Sequence, residues 1–286
     1  MVKAQKWLDK KYPNKEERSK ITELNDGGIH NFLDVHKKIE GHLDLRDFVN
    51  LEEIRFSELG QLTSLDISNC PKLVKLNCSQ NLINNLNLSK NTMLVELYCS
   101  GNQLRELDTT NCPNLKIIRC DNNLLTNLDL TTNQKLECLS IKDNNFAKQD
   151  LSFLTHLTNL KVLELGNDNP RRIKKGLYNQ FVGSLESLKG ITELEKLNIN
   201  NTDLDSGLEH LGNSVSLYCS SEKRPNSQVK KIEEQVLLNA QLSKKRSERL
   251  SISSSQTADD QSTVSSLHSS LQASIQQQDE EEEKGK

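Results

Sequence analysis

The chain lacks any long apolar segment and any strong excess of basic charge. Its 286 residues have a mean hydropathy of −0.65, and no apolar run approaches the roughly 18 residues that a transmembrane helix needs. The N-terminal stretch MVKAQKWLDKKYPNKEERSK has no apolar core of the kind that defines a secretory signal. The formal net charge is −3, so no global basic field indicates nucleic-acid binding. We therefore expect neither a membrane nor a nucleic acid as a partner.

Paired cysteines are missing as well. The seven cysteines form no CxxC pair and no Cys/His cluster, which argues against a zinc site. Most of them occupy repeat positions that require a small buried hydrophobic residue. An odd number of buried cysteines without a signal sequence favours a reducing, cytoplasmic setting.

Enzyme motifs are also absent from the sequence. It contains no Walker loop, no GxGxxG after a strand, no HExxH and no GxSxG. The six histidines are scattered rather than clustered. We therefore predict that the protein is not an enzyme and holds no cofactor and no metal.

What the chain does contain is a unit that recurs between Leu51 and about Ser152. The unit has the form Leu-x-x-Leu-x-Cys-Ser-x-Asn-x-Leu-x-x-Leu-Asp-Leu. Its opening leucines, Leu73, Leu94, Leu115 and Leu136, follow one another at intervals of 21 residues. A period in the range of roughly 20–29 with this Leu/Asn pattern is the signature of a leucine-rich repeat.

Each repeat begins with alternating apolar and polar residues, which predicts a short half-buried strand. Leucine pairs with cysteine at the inward positions, as in Leu97 and Cys99. The second half of the repeat is too short for a full helix and predicts a tight convex side of short strands or 3₁₀ turns. The predicted fold is an α/β solenoid, a right-handed leucine-rich-repeat superhelix with a parallel concave sheet. Asparagines at a constant offset after the strand, which we expect to satisfy backbone groups, are Asn81, Asn102, Asn123 and Asn144.

The flanking segments suggest four regions. We predict a helical N-terminal cap with an irregular insertion at 1–42, the solenoid at 43–221, a C-terminal helix at 222–250 and a disordered Ser/Gln/Glu-rich tail at 251–286. Within the cap, 4–24 is expected to be helical. The C-terminal stripe around Val229, Ile232 and Val236 fits either docking on the last repeat or pairing with a partner helix as a short coiled coil.

One repeat is much longer than the others. The opening leucines Leu160 and Leu194 are 34 residues apart. The excess must leave the solenoid as a loop, which is either part of a binding face or merely tolerated.

Besides the Cys-Ser-x-Asn repeats and the long insertion, the chain contains the segments AQKWLDKKYP with KEERSKITEL, GHLDLRDFVNLEEI and YCSSEKRPNSQVKKIEEQ. The repeats resemble those of bacterial internalin-like proteins. Together with the other segments, they resemble more closely an expanded leucine-rich-repeat family of arbuscular mycorrhizal fungi. The extra residues near Gly27 to Lys37 depart from the family pattern. The resemblance implies protein recognition and, in some members, fusion to modules such as kinases; it implies no known ligand and no catalytic residue.

The predicted concave face offers a candidate binding site. Tyr98, Ile117 and Arg119 stand on neighbouring strands, and Tyr and Arg are enriched in binding hot spots. We predict that Arg55, Glu96 and Lys142 form their polar surroundings, and that exposed Ile117, Cys138 and Val162 form an apolar strip.

The predicted function is a monomeric, non-enzymatic module that binds a protein or peptide on this concave face, in a signalling context. The alternative is a scaffold or adaptor that spaces other elements, with the contacts made by the C-terminal helix and tail.

Overall fold

The computed structural model describes residues 2–25, 39–57 and 61–245. The chain divides into two units, Met1–Glu233 and Glu234–Lys286. The predicted tail at 251–286 and the extra residues near Gly27 to Lys37 lie outside the described residues. In chain order the first unit contains β1 (Val2–Lys3), α1 (Ala4–Lys11), α2 (Lys15–Arg18), β2 (Glu23–Asn25), β3 (Ile39–Asp44), β4 (Glu53–Arg55), β5 (Gln61–Asp66), β6 (Lys75–Asn77), β7 (Glu96–Tyr98), β8 (Ile117–Arg119), β9 (Cys138–Ser140), β10 (Val162–Glu164), α3 (Pro170–Lys174), β11 (Val182–Ser184), β12 (Lys196–Asn198), β13 (Asp203–Ser206) and β14 (Ser216–Tyr218).

One strand from each repeat joins a nine-stranded parallel sheet, in the order β14-β12-β10-β9-β8-β7-β6-β4-β2. The central residue of each strand faces the core, and Leu76, Leu97, Ile118 and Leu139 are all 0% exposed. These residues stack in register because equal repeats place the same position on every strand. The predicted right-handed solenoid with a parallel concave sheet is confirmed.

The opposite side of the solenoid is built from short pieces. It carries the three-stranded sheet β1-β3-β5, the pair β11-β13 and 3₁₀ turns at Ser152–Leu154, Leu185–Leu188 and Leu208–His210. The segments available in a repeat of this length leave no room for a full helix, as the sequence predicts.

The predicted helical segment over 4–24 is confirmed only in part, because it consists of the two short helices α1 and α2 followed by the strand β2. Pro13 separates two short helices, since proline lacks an N–H and disfavours helical geometry in the residue before it. The side chain of Asn14 caps α2 by accepting a hydrogen bond from Glu16 N at 2.9 Å. After α2, the chain forms β2, which pairs in parallel with β4 and so adds a strand to the concave sheet.

A buried arginine ties the N-terminal cap together. Arg18 is 4% exposed. Its guanidinium donates to Asp9 at 2.8 Å and to Asp47 at 3.2 Å, while its Nε donates to the Tyr12 carbonyl at 2.9 Å. These bonds satisfy a charge that would otherwise be costly to bury.

The repeated asparagines form a continuous hydrogen-bonded ladder through the core. The Nδ2 of Asn123 donates to the carbonyls of Cys99 at 3.0 Å and Cys120 at 3.1 Å, and its Oδ1 accepts from Leu104 N at 3.0 Å. Asn102 and Asn144 repeat this pattern one turn away on either side. Each asparagine therefore bridges two adjacent repeats, as the sequence predicts.

The cysteines that precede this ladder form a second buried column. Cys78, Cys99 and Cys120 are 0% exposed and unpaired. Burial raises the pKa of the Cys78 thiol to about 12 and places those of Cys99 and Cys120 well above their ordinary value. They are neutral packing groups at pH 7.

The C-terminal segment closes the first unit. Val229 and Ile232 are both 0% exposed, and Glu233 accepts a hydrogen bond from Ser221 Oγ at 2.6 Å. Residues 230–245 are helical. In the second unit, the apolar side chains of Leu237, Leu238 and Leu242 are 54–58% exposed.

Candidate functional site

Three columns of side chains cross the concave sheet, and strand pairing fixes two of them. The first column contains Glu53, Lys75, Glu96, Ile117, Cys138, Val162 and Lys196. The second contains Arg55, Asn77, Tyr98, Arg119, Ser140, Glu164 and Asn198. The third follows the strand ends and includes Ser100, Asp121 and Lys142.

The structure brings together the residues predicted for the centre of the site. Tyr98 pairs in register with Arg119, and Glu96 pairs in register with Ile117. Tyr98 and Ile117 are half-buried and Arg119 is exposed. We call Tyr98, Ile117 and Arg119 the central patch. Arg55 and Lys142 lie further along the sheet.

On the β4 side of the central patch, the polar side chains pair with one another. Lys75 Nζ lies 2.7 Å from Glu96 Oε2 and 5.7 Å from the centre of the Tyr98 ring. The Tyr98 hydroxyl donates to Glu96 Oε2 at 2.9 Å, and Arg55 forms an ion pair with Glu53. The hydrogen bond from Lys75 lowers the pKa of Glu96, although partial burial opposes it, so this carboxylate stays charged.

On the other side, a second network surrounds a buried carboxylate. Glu164 is 7% exposed and lies 2.6 Å from Lys196 Nζ and 3.4 Å from Lys142 Nζ. Ser140 Oγ donates to Glu164 at 2.9 Å and also contacts Asp121. Burial alone would raise the pKa of Glu164, but the bonds from Lys196 and Ser140 and the charge of Lys142 lower it to about 2. We call these five residues the Glu164 network.

Arg119 lies between the ion pairs around Glu96 and the Glu164 network. Within residues 2–25, 39–57 and 61–245, no carboxylate lies within the 4.0 Å of an ion pair with its guanidinium, whereas Arg55, Lys75, Lys142 and Lys196 each have such a partner. The guanidinium instead lies beside the Cys138 thiol.

The predicted apolar strip is wrong in one member. Cys138 is only 8% exposed, because it lies in register between Ile117 and Val162 and beside the Arg119 side chain. Burial raises the pKa of its thiol, and the nearby guanidinium partly offsets that rise. Ile117 and Val162 are half-buried, so the accessible apolar surface at this place is divided.

Sequence reasoning missed Lys75, Glu164 and Lys196 as members of the site. The signal for Lys75 was present, because opposite charges alternate along the first column from β4 to β7. Glu164 and Lys196 lie in different columns, and the columns carry no such alternation around them. Lys75 stands between Glu53 and Glu96 in the first column. In a parallel in-register sheet, such neighbours lie about 4.8 Å apart and form ion pairs.

The long insertion is attached to the rim of the sheet. Asp143 accepts hydrogen bonds from the backbone N–H groups of Asp168 and Asn169, both at 2.8 Å. Burial raises the pKa of Asp143, and the two bonds partly oppose this. Arg172 of α3 donates to the Asn123 carbonyl. The insertion is therefore held against the repeats that carry β8 and β9.

Among the described residues, no group of three or more His, Cys, Asp or Glu side chains is arranged to hold a metal ion. None of the helices described is both long and apolar enough to cross a bilayer.

The chain matches no protein-family model and no curated protein. Among solved structures, it is similar to internalin C2 from Listeria monocytogenes, with 17% identity over 72% of this chain and 82% of that one, at a TM-score of 0.52. The functional domain of InlJ from Listeria monocytogenes, described as including a cysteine ladder, has 19% identity over 70% of this chain at a TM-score of 0.45. A leucine-rich-repeat protein from Leptospira interrogans has 21% identity over 65% of this chain at a TM-score of 0.48.

The matched regions span 54% of the InlJ domain and 49% of the Leptospira protein. The likeness to internalin C2 agrees with the parallel solenoid and its repeat period. This chain therefore has the fold of a leucine-rich-repeat protein.

Proposed function

We propose that this protein is a non-enzymatic binding module that recognises a protein or peptide on its concave face, with the central patch as the main contact. The observation that carries the proposal is the in-register pairing of a half-buried tyrosine with an exposed arginine, Tyr98 and Arg119, on adjacent strands. Aromatic and arginine side chains dominate binding hot spots. Arg55, Glu96 and Lys142 form the polar surroundings.

The sheet also supplies a rigid frame for these side chains. The Asn102 and Asn123 side chains bond across the repeats that carry β6, β7 and β8. Side chains held on such a frame lose little conformational entropy when a partner binds, so more of the contact energy contributes to affinity.

The chemistry of the face suits binding better than proton transfer. Glu96 and Glu164 have lowered pKa values, and Lys75 and Lys196 have raised pKa values through hydrogen bonds to those carboxylates. All four groups remain charged near pH 7, whereas a general acid or base needs a pKa near the working pH.

The proposal is tested by comparing the affinity of a concave-face variant for the partner with that of the wild-type protein. A partner captured from cell extract on the wild-type protein would be purified and titrated against Tyr98→Ala/Arg119→Ala. We expect affinity to fall at least about tenfold, or roughly 1.4 kcal/mol, with melting near that of wild type. The matched control is Arg105→Ala/Glu106→Ala, which removes two exposed side chains outside the strands. Equal affinity of all three proteins would contradict the proposal.

The scaffold reading is the second candidate, and the exposed Leu237, Leu238 and Leu242 favour it. Deletion after Glu222 would be a poor test, because it would also remove the buried Val229 and Ile232. Deletion after Glu233 keeps both. Loss of binding in that variant, with the Tyr98→Ala/Arg119→Ala protein still binding, would favour the scaffold role.

The finer parts of the proposal rest on sequence. The N-terminal and insertion segments support membership of the fungal leucine-rich-repeat family, and with it a role in signalling. The unpaired cysteines support a cytoplasmic setting. A monomer is proposed as the binding form, and light scattering of the purified protein would test it.

A further inference from the structure

The charge pattern of the concave face indicates which chemical class of partner the proposed function would involve. Basic and acidic side chains on the face are distributed unevenly between its two ends. From β2 to β7 the acidic residues Glu23, Glu53 and Glu96 outnumber the basic residues Arg55 and Lys75. From β8 to β12 the basic residues Arg119, Lys142 and Lys196 outnumber the acidic residues Asp121 and Glu164.

The excess positive charge resides on Arg119. In the Glu164 network, the Nζ atoms of Lys196 and Lys142 form ion pairs with the Glu164 carboxylate, at 2.6 Å and 3.4 Å. Asp121 accepts hydrogen bonds from Ser100 Oγ and from the Lys142 backbone N–H, each at 3.1 Å. The lysine and carboxylate charges are thus engaged within the protein. The Arg119 guanidinium lies beside the Cys138 thiol and, among the residues that the structure describes, forms no ion pair with a carboxylate, so its N–H donors remain available to an anion.

Resting on the proposed function, we infer that the concave face recognises an acidic peptide, in which one Asp or Glu side chain pairs with Arg119 beside an apolar residue on Tyr98 and Ile117. A guanidinium presents a planar fork of N–H donors that fits a carboxylate in a bidentate manner. Tyr98 and Ile117 flank Arg119 on β7 and β8 and offer half-buried apolar surface to the neighbouring residue.

A nucleic acid fits this surface less well than a peptide. Glu96 lies one strand and one column away from Arg119, and Asp121 lies two residues beyond it. A phosphodiester chain would place further negative charges near both carboxylates, and like charges repel at such distances. A single carboxylate brings one negative charge rather than a series of them, so this repulsion is smaller.

The experiment uses the full-length protein and a random peptide display library. Selection on the wild-type protein is expected to enrich peptides that contain Asp or Glu next to an apolar residue. The most enriched peptide and a copy with its acidic residue changed to Asn or Gln are then titrated by fluorescence anisotropy. The proteins compared are wild type, Arg119→Gln, Tyr98→Ala and the control Arg105→Gln, whose arginine is exposed outside the strands.

Arg119→Gln should weaken the acidic peptide about tenfold and the neutral copy less than twofold, since the lost contact is charge-specific. Tyr98→Ala should weaken both peptides, and Arg105→Gln neither. Arg119→Lys, which keeps the charge but not the fork, should lie between wild type and Arg119→Gln. Melting temperatures of all variants should match wild type, because these side chains do not face the core.

The two proposals fail in different ways. Peptides that depend on Tyr98 but not on Arg119, or that lack an acidic residue, would overturn the acidic-peptide inference and leave concave-face binding intact. Peptides insensitive to both variants would overturn both proposals, as would a library from which nothing is enriched. Displacement of the peptide by oligothymidylate at equal or lower concentration would show a phosphate-binding surface and overturn the assignment to a carboxylate.

Discussion

Removing one rung of the asparagine ladder should destabilise the protein by an amount that its hydrogen bonds determine. The change is Asn123→Ala, at a residue that is 0% exposed. The substitution eliminates the bonds to the Cys99, Cys120 and Asp121 carbonyls and the bond accepted from Leu104 N. Alanine has no group that can replace any of them.

The four partners are not affected equally, and the bond to the partly buried Asp121 carbonyl, at 3.3 Å, is the weakest. The Cys99 carbonyl keeps a bond from Asn102 at 3.0 Å, and the Cys120 carbonyl keeps one from Asn144 at 3.0 Å. Only the Leu104 N–H is left without its partner. A stranded buried donor costs about 1–3 kcal/mol and each weakened carbonyl adds about 0.5 kcal/mol, so we expect a loss of about 2–4 kcal/mol.

Equilibrium unfolding in urea measures this loss. The control is Asn127→Ala in the same repeat, whose side chain is exposed, and it should leave the midpoint within error of wild type. Asn102→Ala should resemble Asn123→Ala, since its bonds to Cys78, Cys99 and Ile83 follow the same pattern. Coincident midpoints for wild type, Asn102→Ala and Asn123→Ala would refute a structural role for the ladder.

Three further predictions concern ionisable and thiol groups. The pKa of Glu164, lowered to about 2, stabilises the fold at neutral pH by up to about 3 kcal/mol, and this contribution disappears as pH falls from about 4.5 to 2. The melting temperature of Glu164→Gln should therefore fall less on acidification than that of wild type. Equal falls in the two proteins would contradict this. Cys99→Ser should lower the melting temperature, because it buries a hydroxyl in place of an apolar packing group. In the native protein a thiol reagent should label half-buried Cys219 before Cys99, and the reverse order would contradict the buried cysteine column. Arg18→Leu should lower the free energy of unfolding in urea by about 1–3 kcal/mol, because it removes the ion pairs with Asp9 and Asp47. The loss is limited because both carboxylates remain partly hydrated. An unchanged free energy would mean that these ion pairs of the cap do not contribute to stability.

The repeat period allowed most of the solenoid to be predicted from sequence. Equal spacing fixes the register, because a shift of one residue would turn Leu97 and Cys99 out of the core. The strand β2 escaped prediction because Glu23–Asn25 has only one apolar residue, so its structure comes from pairing with β4 rather than from local pattern. Pro13 in the sequence did indicate that the first helix would end before it.

The candidate site was predictable only in part. The columns followed from the register, so the neighbours Tyr98 and Arg119 could be named in advance. Ion pairing depends on the rotamers of long side chains, which the sequence does not specify, and so the position of Glu164 between Lys142 and Lys196 was missed. Burial of Cys138 likewise depends on where the Arg119 side chain lies.

The ladder also makes the length of the concave face adjustable. Asn123 uses Cys99 and Leu104 in the preceding repeat in the same way that Asn102 uses Cys78 and Ile83. Excising 93–113 would therefore let Asn123 bond to Cys78 and Ile83 and restore an unbroken core. The concave face would shorten by one strand spacing, about 4.8 Å, and Arg119 would move next to Asn77. Gain or loss of whole repeats would thus change the side chains that the proposed binding surface presents while the interior stays the same.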